Sequence, residues 1–282
     1  MPARRPAEKN QESGHIDQSD FLVVDVETTG LSADRGDRVC EIAAVKLRGS
    51  AIVETFTSLV NPRQPVSAGA YAVNRISPEM LADAPEFPEI AEQLSRMMSD
   101  AVLVAYNAPF DMSFIRSEFR LAGYPTLSNM TVDALALARQ LLPGLPKYSQ
   151  ENVAQVVGIP FPVKHRALED TLTTAKLFIL FTSILKAYDL TTTADLKRTD
   201  LMKTLQSKRV AIVHEAMTAE ANLWIKYLSP TNTEITDRIV TPKNFASDHP
   251  QSLFAYCHKE QGERTFRVDR MLDVRVIHTT TL

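Results

Sequence analysis

FLVVDVETTGL, residues 21–31, is the stretch on which the reading of this chain turns. Phe21 to Asp25 reads as an apolar strand ending in an acid, and Glu27 follows two positions later. Strand side chains repeat every two residues, so Asp25 and Glu27 share a face, roughly 6–7 Å apart. Neighbouring carboxylates raise each other's pKa unless a cation lies between them. A divalent ion such as Mg²⁺, which takes carboxylate oxygens, supplies that charge. Alone, the pair also fits two strand-end acids in water. What separates the readings is whether other segments bring further acids.

Outward from this strand, VCEIAAVKL (39–47) and IVETFTSLV (52–60) read as strands joined by a hairpin at Arg48-Gly49-Ser50. The chain then turns helical. Ser77-Pro78 marks a helix start, and 86–98 carries apolar residues at helical spacing. AVLVAYN (101–107) reads as a buried central strand, followed by a helix over 109–123 that Gly123 stops. A short strand runs into a helix over 131–142, and further helices are expected at 149–158 and 167–188. Strands followed by strand–helix alternation indicate an α/β layer fold. The polar run 191–200 breaks the pattern. A short helix is read at 201–208, and short strand-like runs beyond it form a small all-β module.

Two more acids fall at element ends. Asp111 lies in YNAPFD, in the first turn of a helix, and Asp170 lies in HRALED, near the start of the long helix. Such ends converge at one sheet edge, where ligands bind. Four carboxylates there can hold two Mg²⁺ or Mn²⁺ ions about 4 Å apart for an in-line phosphoryl displacement. His165 precedes Asp170 by five residues, in a proline-rich loop, and its imidazole can take a proton from water at neutral pH. Asp133 reads as the cap of the helix at 134.

DVETTGL, YNAPFD and HRALED, in this order and spacing, resemble the three motifs of the DEDDh, or DnaQ-like, 3′–5′ exonucleases. That group includes the epsilon subunit of bacterial DNA polymerase III. The resemblance spans roughly 20–187. It implies an RNase H-like fold with a five-stranded mixed sheet, with Asp25, Glu27, Asp111 and Asp170 as metal ligands and His165 as general base. It also implies that Thr28, Thr29, Gly30 and Leu31 hold the 3′ end, Leu31 pressing on the terminal base, and that Asn107 and Phe110 support the site. Asn74 and Arg75 stand where many members have His and Gly. Arg75 thereby becomes a candidate substrate contact, and this edge bears on substrate preference. The implied partner is nucleic acid with a free 3′ end, single-stranded DNA ahead of RNA, in company with a DNA polymerase or repair protein.

Residues 207–278 resemble the WYL domain, which implies a small SH3/Sm-like β-barrel that binds nucleic acid or a nucleotide-like ligand. The resemblance rests on Trp224, Tyr227, the Ala-Tyr-Cys run at 255–257 and the arginines that follow. Arg238, Arg264 and Arg267 have two open readings, phosphate contact or pairing with nearby acids. Trp224 and Tyr227 read first as core, and Arg270 as a partner of Asp269 or Asp273.

The whole is expected to divide into a disordered tail (1–19), an exonuclease domain (20–188), a linker (189–206) and the barrel (207–282). Composition agrees with a soluble cytoplasmic protein. The chain of 282 residues is 44% hydrophobic and 23% charged, with a net charge of −3. Residues 197–282 hold 13 Lys and Arg against 10 Asp and Glu, whereas residues 1–196 hold 18 against 24. The acidic part is the part with the carboxylate motifs. Cys40 and Cys257 read as buried thiols, and the most apolar run, LFILFTSIL at 177–185, is too short to cross a bilayer. The competing class is a non-catalytic regulator in which the exonuclease fold only holds nucleic acid. The intact acid set argues against it.

Overall fold

A computed structural model describes residues 14–161, 166–229, 234–246 and 251–277. His165 lies outside the described residues. Two compact units emerge. The first comprises the described residues through Ala136 together with the described residues of Ile159–Ile179 and with Thr192–Lys197. The second comprises Leu137–Gly158, Leu180–Thr191 and the described residues from Arg198 onward.

The first unit is built on β1 (Asp20–Thr28), the middle strand of a five-stranded sheet. Beside it lie β2 (Val39–Arg48), β3 (Ala51–Leu59), β4 (Val102–Ala105) and β5 (Thr131–Asp133), in the order β3-β2-β1-β4-β5. The hairpin side pairs antiparallel and the β4 and β5 side pairs parallel, so the sheet is mixed. This is the expected RNase H-like arrangement. β1 is apolar on both faces because both are covered. Leu22, Val24 and Val26 enter one core with α3 (Phe87–Met98) and α4 (Ala108–Leu121). The opposite face carries Phe21, which meets Phe178 of α7 (Ala167–Lys186) edge-on at 4.9 Å. Alternation along β1 therefore sends Asp25 and Glu27 to the α7 side.

Two short helices lie between β3 and α3: α1 (Ala68–Asn74), which sequence reading passed over, and α2 (Pro78–Leu81). Ser67 caps α1 by accepting from the Ala70 N–H. Within the stretch read as a tail, Ile16 is buried and His15 bridges to Thr192. Within the stretch read as a linker, Thr193 and Leu196 are buried in a 3₁₀ turn.

Ala134–Leu141 forms α5, and the second unit includes α6 (Gln150–Val156) and α8 (Leu201–Thr218). The helix read at 201–208 runs on for ten more residues. Its buried stripe is Leu201, Leu205, Arg209, Val213 and Ala216, and the arginine in that stripe disguises the helical period. Arg209 donates to the Asp269 carbonyl at 3.2 Å and lies over the Tyr188 ring. The sheet of this unit consists of β6 (Asn222–Leu228), β7 (Ile235–Phe245), β8 (Ser252–Cys257), β9 (Gly262–Arg267) and β10 (Met271–Ile277). All neighbouring pairs are antiparallel, in the order β10-β6-β7-β8-β9. The expected barrel is thus a five-stranded sheet whose end strands are joined by a 3₁₀ turn, with no ladder between them among the described residues.

Candidate active site

Three elements converge on the end of β1. Asp25 and Glu27 project from the strand, and Asp170 comes from the first turn of α7. One carboxylate oxygen from each lies within 4.8 Å of the others. Asp111, in the first turn of α4, is anchored from the other side. Its Oδ1 accepts the backbone N–H of Val26, the residue between the two strand acids, at 3.1 Å. The start of α4 is itself fixed by Asp133, whose Oδ1 accepts from the N–H groups of Asn107 and Ala108 as well as from Leu135. The cap role expected of Asp133 therefore extends to holding α4. Asn107 sits in the left-handed region at φ 69°, the sharp turn between β4 and the helix.

The electrostatics follow from this crowding. Burial lifts the Asp25 carboxyl well above the usual range, and Asp111, Asp170, Glu27 and Glu41 add to the effect. Burial, then Asp170 and Glu41, pushes Glu27 up to about 7, while Asn74 and Arg166 pull it back. Burial pushes Asp111 up to about 8 against the pull of the Val26 N–H. Like charges forced together in a recessed place call for a cation, and hard carboxylate oxygens suit a divalent one. The donor set thus fits the divalent metal that the motifs imply.

Two residues in this region have roles that sequence reading missed. Glu41 on β2 is buried and stands opposite Glu27 in the strand register. Its carboxylate accepts from Arg166 Nη2 at 2.7 Å and from the Ala167 N–H at 3.1 Å, which ties down the start of α7. The signal lay in the β1–β2 register and in one acid within the apolar run VCEIAAV. Asn74, read as a rim position, is buried. It donates to the Thr28 carbonyl at 3.3 Å and accepts from the Ile76 N–H. It supports the strand end from beneath. Arg75 is exposed at φ 58°, its guanidinium 6.0 Å from the Tyr71 ring centroid.

Thr28 and Thr29 are buried. The Thr28 hydroxyl donates to the Gly30 carbonyl at 2.6 Å, and Thr29 Oγ1 accepts from the Arg38 N–H and from Gln64. A Cβ at Gly30 would meet the Asp37 carboxylate, which would have to shift to admit it. Leu31 is 86% exposed, a bare aliphatic side chain just past the acids. Phe110 packs against Phe114 with the rings tilted by 51° and their centroids 5.0 Å apart.

In the second unit the arginines are occupied. Arg238 pairs with Glu260 at 3.1 Å, and Arg267 pairs with Asp269. Arg264 is exposed and donates to the Glu263 carbonyl. Arg270 does not pair with Asp269 or Asp273 as expected. It is buried and donates to the carbonyls of Ser229 and Gly144, while Asp273 takes Arg275. Tyr227 fills the core, accepting the Arg267 N–H. Trp224 falls on the other face of β6, beneath the Arg275 guanidinium at 5.1 Å, which corrects its core reading.

A family model described as RNase_T, Exonuclease, matches residues 22–178, more than half of the chain. The chain belongs to the RNase_T exonuclease family. The exonuclease match is followed by a WYL domain match over residues 208–276. Among the relatives of this chain, the DNA polymerase III PolC-type protein of Bacillus cereus is 39% identical over 174 residues, covering 62% of this chain and 12% of its own length. That of Caldanaerobacter subterraneus subsp. tengcongensis is 32% identical over 253 residues, covering 87% of this chain and 18% of its own. The chain thus spans less than a fifth of the length of these two curated relatives. The structure of E. coli Exonuclease I in complex with a dT13 oligonucleotide superposes with a TM-score of 0.55 at 17% identity, covering 93% of this chain and 64% of that one. This likeness concerns the fold. Among the described residues, no helix is long and apolar enough to cross a membrane.

Proposed function

We propose that this chain is a divalent-metal-dependent 3′–5′ exonuclease that releases nucleoside 5′-monophosphates from the 3′ end of nucleic acid, with single-stranded DNA preferred. The convergence of Asp25, Glu27 and Asp170, with Asp111 bonded between the strand acids, carries this reading. These four acids are the residues that would hold two Mg²⁺ or Mn²⁺ ions. Bound there, such ions make water nucleophilic at neutral pH and offset charge on the phosphate. Leu31 offers an exposed aliphatic face to the terminal base, and the Thr28–Gly30 turn offers a rigid backbone beside it. His165 accepts the proton of the attacking water. Water adds to the terminal phosphorus, the P–O3′ bond breaks, and O3′ stays on the shortened strand as a hydroxyl after taking a proton from solvent.

DNA is favoured because the relatives are named DNA polymerase III and the fold neighbour was solved with dT13. A replication or repair polymerase is the corresponding partner, and the cytoplasm the corresponding place. The proposed division is an exonuclease domain over 20–188 and a nucleic-acid-binding module over 207–282, with the intervening 189–206 folded as a 3₁₀ turn and the start of α8. Arg264 is an exposed arginine of that module with no acidic partner among the described residues.

The test is degradation of matched 5′-labelled DNA and RNA single strands with Mg²⁺ or Mn²⁺. The wild type shortens DNA stepwise from the 3′ end, and Asp25→Ala loses roughly 10³-fold, the scale for removing a group that stabilises transition-state charge. A wild type inert on both polymers with both metals would sink the proposal.

A further inference from the structure

Five acids, not four, crowd the end of β1. Glu41 on β2 faces Glu27 on β1 across the antiparallel ladder, and directly opposed residues have Cβ atoms about 5 Å apart. Two like charges so placed destabilise a sheet. Glu41 is 3% exposed, so water does little to relieve it. Arg166 does. Its Nε lies 3.2 Å from each Glu41 oxygen and its Nη2 2.7 Å from Oε1, while the Ala167 N–H reaches Oε2. Both Glu41 oxygens are thereby committed. The pair also sits at a structural junction. Arg166 immediately precedes α7, four residues before Asp170, and is bonded in sequence to His165.

Charge counting gives the arrangement a purpose. Two divalent cations balance four carboxylates, and a guanidinium balances the fifth. From this we infer that Glu41 and Arg166 are a positioning pair that excludes a fifth acid from the metal site and fixes the approach of Asp170. The inference rests on the metal-dependent reading of the acid cluster. Arg166 thus sets the ligand set by sequestration: it keeps Glu41 from competing for the cation while its charge limits how tightly that cation is held.

The pair makes opposite contributions to the field at the site, and this separates it from a plain structural anchor. Titration of the full chain with Mn²⁺, followed by the loss of the free-ion electron paramagnetic resonance signal, reads affinity without turnover. Glu41→Gln keeps the shape and the bond to the Ala167 N–H but leaves Arg166 unbalanced. Mn²⁺ binding weakens about tenfold, the scale of one nearby unit charge. Arg166→Gln frees the Glu41 charge, and binding tightens by a similar factor while turnover falls because the liganding has changed. The double variant returns to within about threefold of wild type, and Arg166→Lys, which retains the charge, stays near wild type. If both single variants shift affinity in the same direction, or the double variant is no better than the worse single one, the inference is overturned while the metal site stands. If the wild type binds no Mn²⁺ at all, the metal-site reading and the positioning pair fall together.

Discussion

The two sheets handle charge in opposite ways. At the end of β1, acids are pressed against acids, and burial with mutual repulsion lifts their pKa values. In the C-terminal sheet, charges meet their opposites: Arg238 with Glu260, Arg267 with Asp269 and Arg275 with Asp273. Folding alone gives no reason to collect like charges, so the first arrangement is a cost that something outside the chain must offset. The second is what a fold does with surplus charge. An arginine count therefore says less about a binding face than the partners those arginines already have.

The sharpest way to break this contrast is at Asp25. Asp25→Asn removes one repelling charge at constant shape. Activity falls roughly 10³-fold, yet in EDTA the protein melts at a higher temperature, because strain held for function has been released. A lower melting temperature in EDTA would show that the acids are not mutually repelling.

Acidity probes the same feature without mutation. Folded Glu27 and Asp111 carboxyls hold protons up to about 7 and about 8, whereas their ordinary values are 4.5 and 3.8. Between these limits the folded state binds more protons than the unfolded one, so stability falls as pH rises. Metal-free protein is expected to lose stability from about pH 3.8 to pH 8. Divalent cation should abolish the decline at the upper end. A flat profile in EDTA would contradict the repulsion.

The second unit should respond as structure rather than as site. Arg209 is 1% exposed, so Arg209→Ala removes a buried side chain and its bond to the Asp269 carbonyl. A loss of about 3 kcal/mol is expected in denaturant unfolding. At the small end, Arg267→Ala opens a pair whose arginine is about half exposed. It should cost under about 1 kcal/mol and change DNA affinity less than about threefold. A drop of tenfold or more would return Arg267 to the nucleic-acid reading.

What could be read in advance follows the same physics. β1, α4 and the start of α7 were legible because each is an apolar run with an acid at its end, and motif order fixed their convergence. Glu41 was not legible, because a lone acid in a strand reads as solvent-facing until its register opposite Glu27 is known. Asn74 read as rim because it stands at a motif position on the edge of the expected nucleotide pocket, whereas its amide turns inward to the Thr28 carbonyl. The second half of α8 was hidden by Arg209, a charge in the middle of the buried stripe. α1 has the weak periodicity of AGAYAVN, and only Ser67 marked its start.

The bond from the Val26 N–H to Asp111 Oδ1 separates spacing from charge. An asparagine carbonyl at position 111 accepts the same N–H, so Asp111→Asn should leave α4 docked on the strand between the two acids. That single substitution would yield a catalytically silent form whose grip on a strand's end survives, a natural bait for crystallising the chain with its polymer still attached.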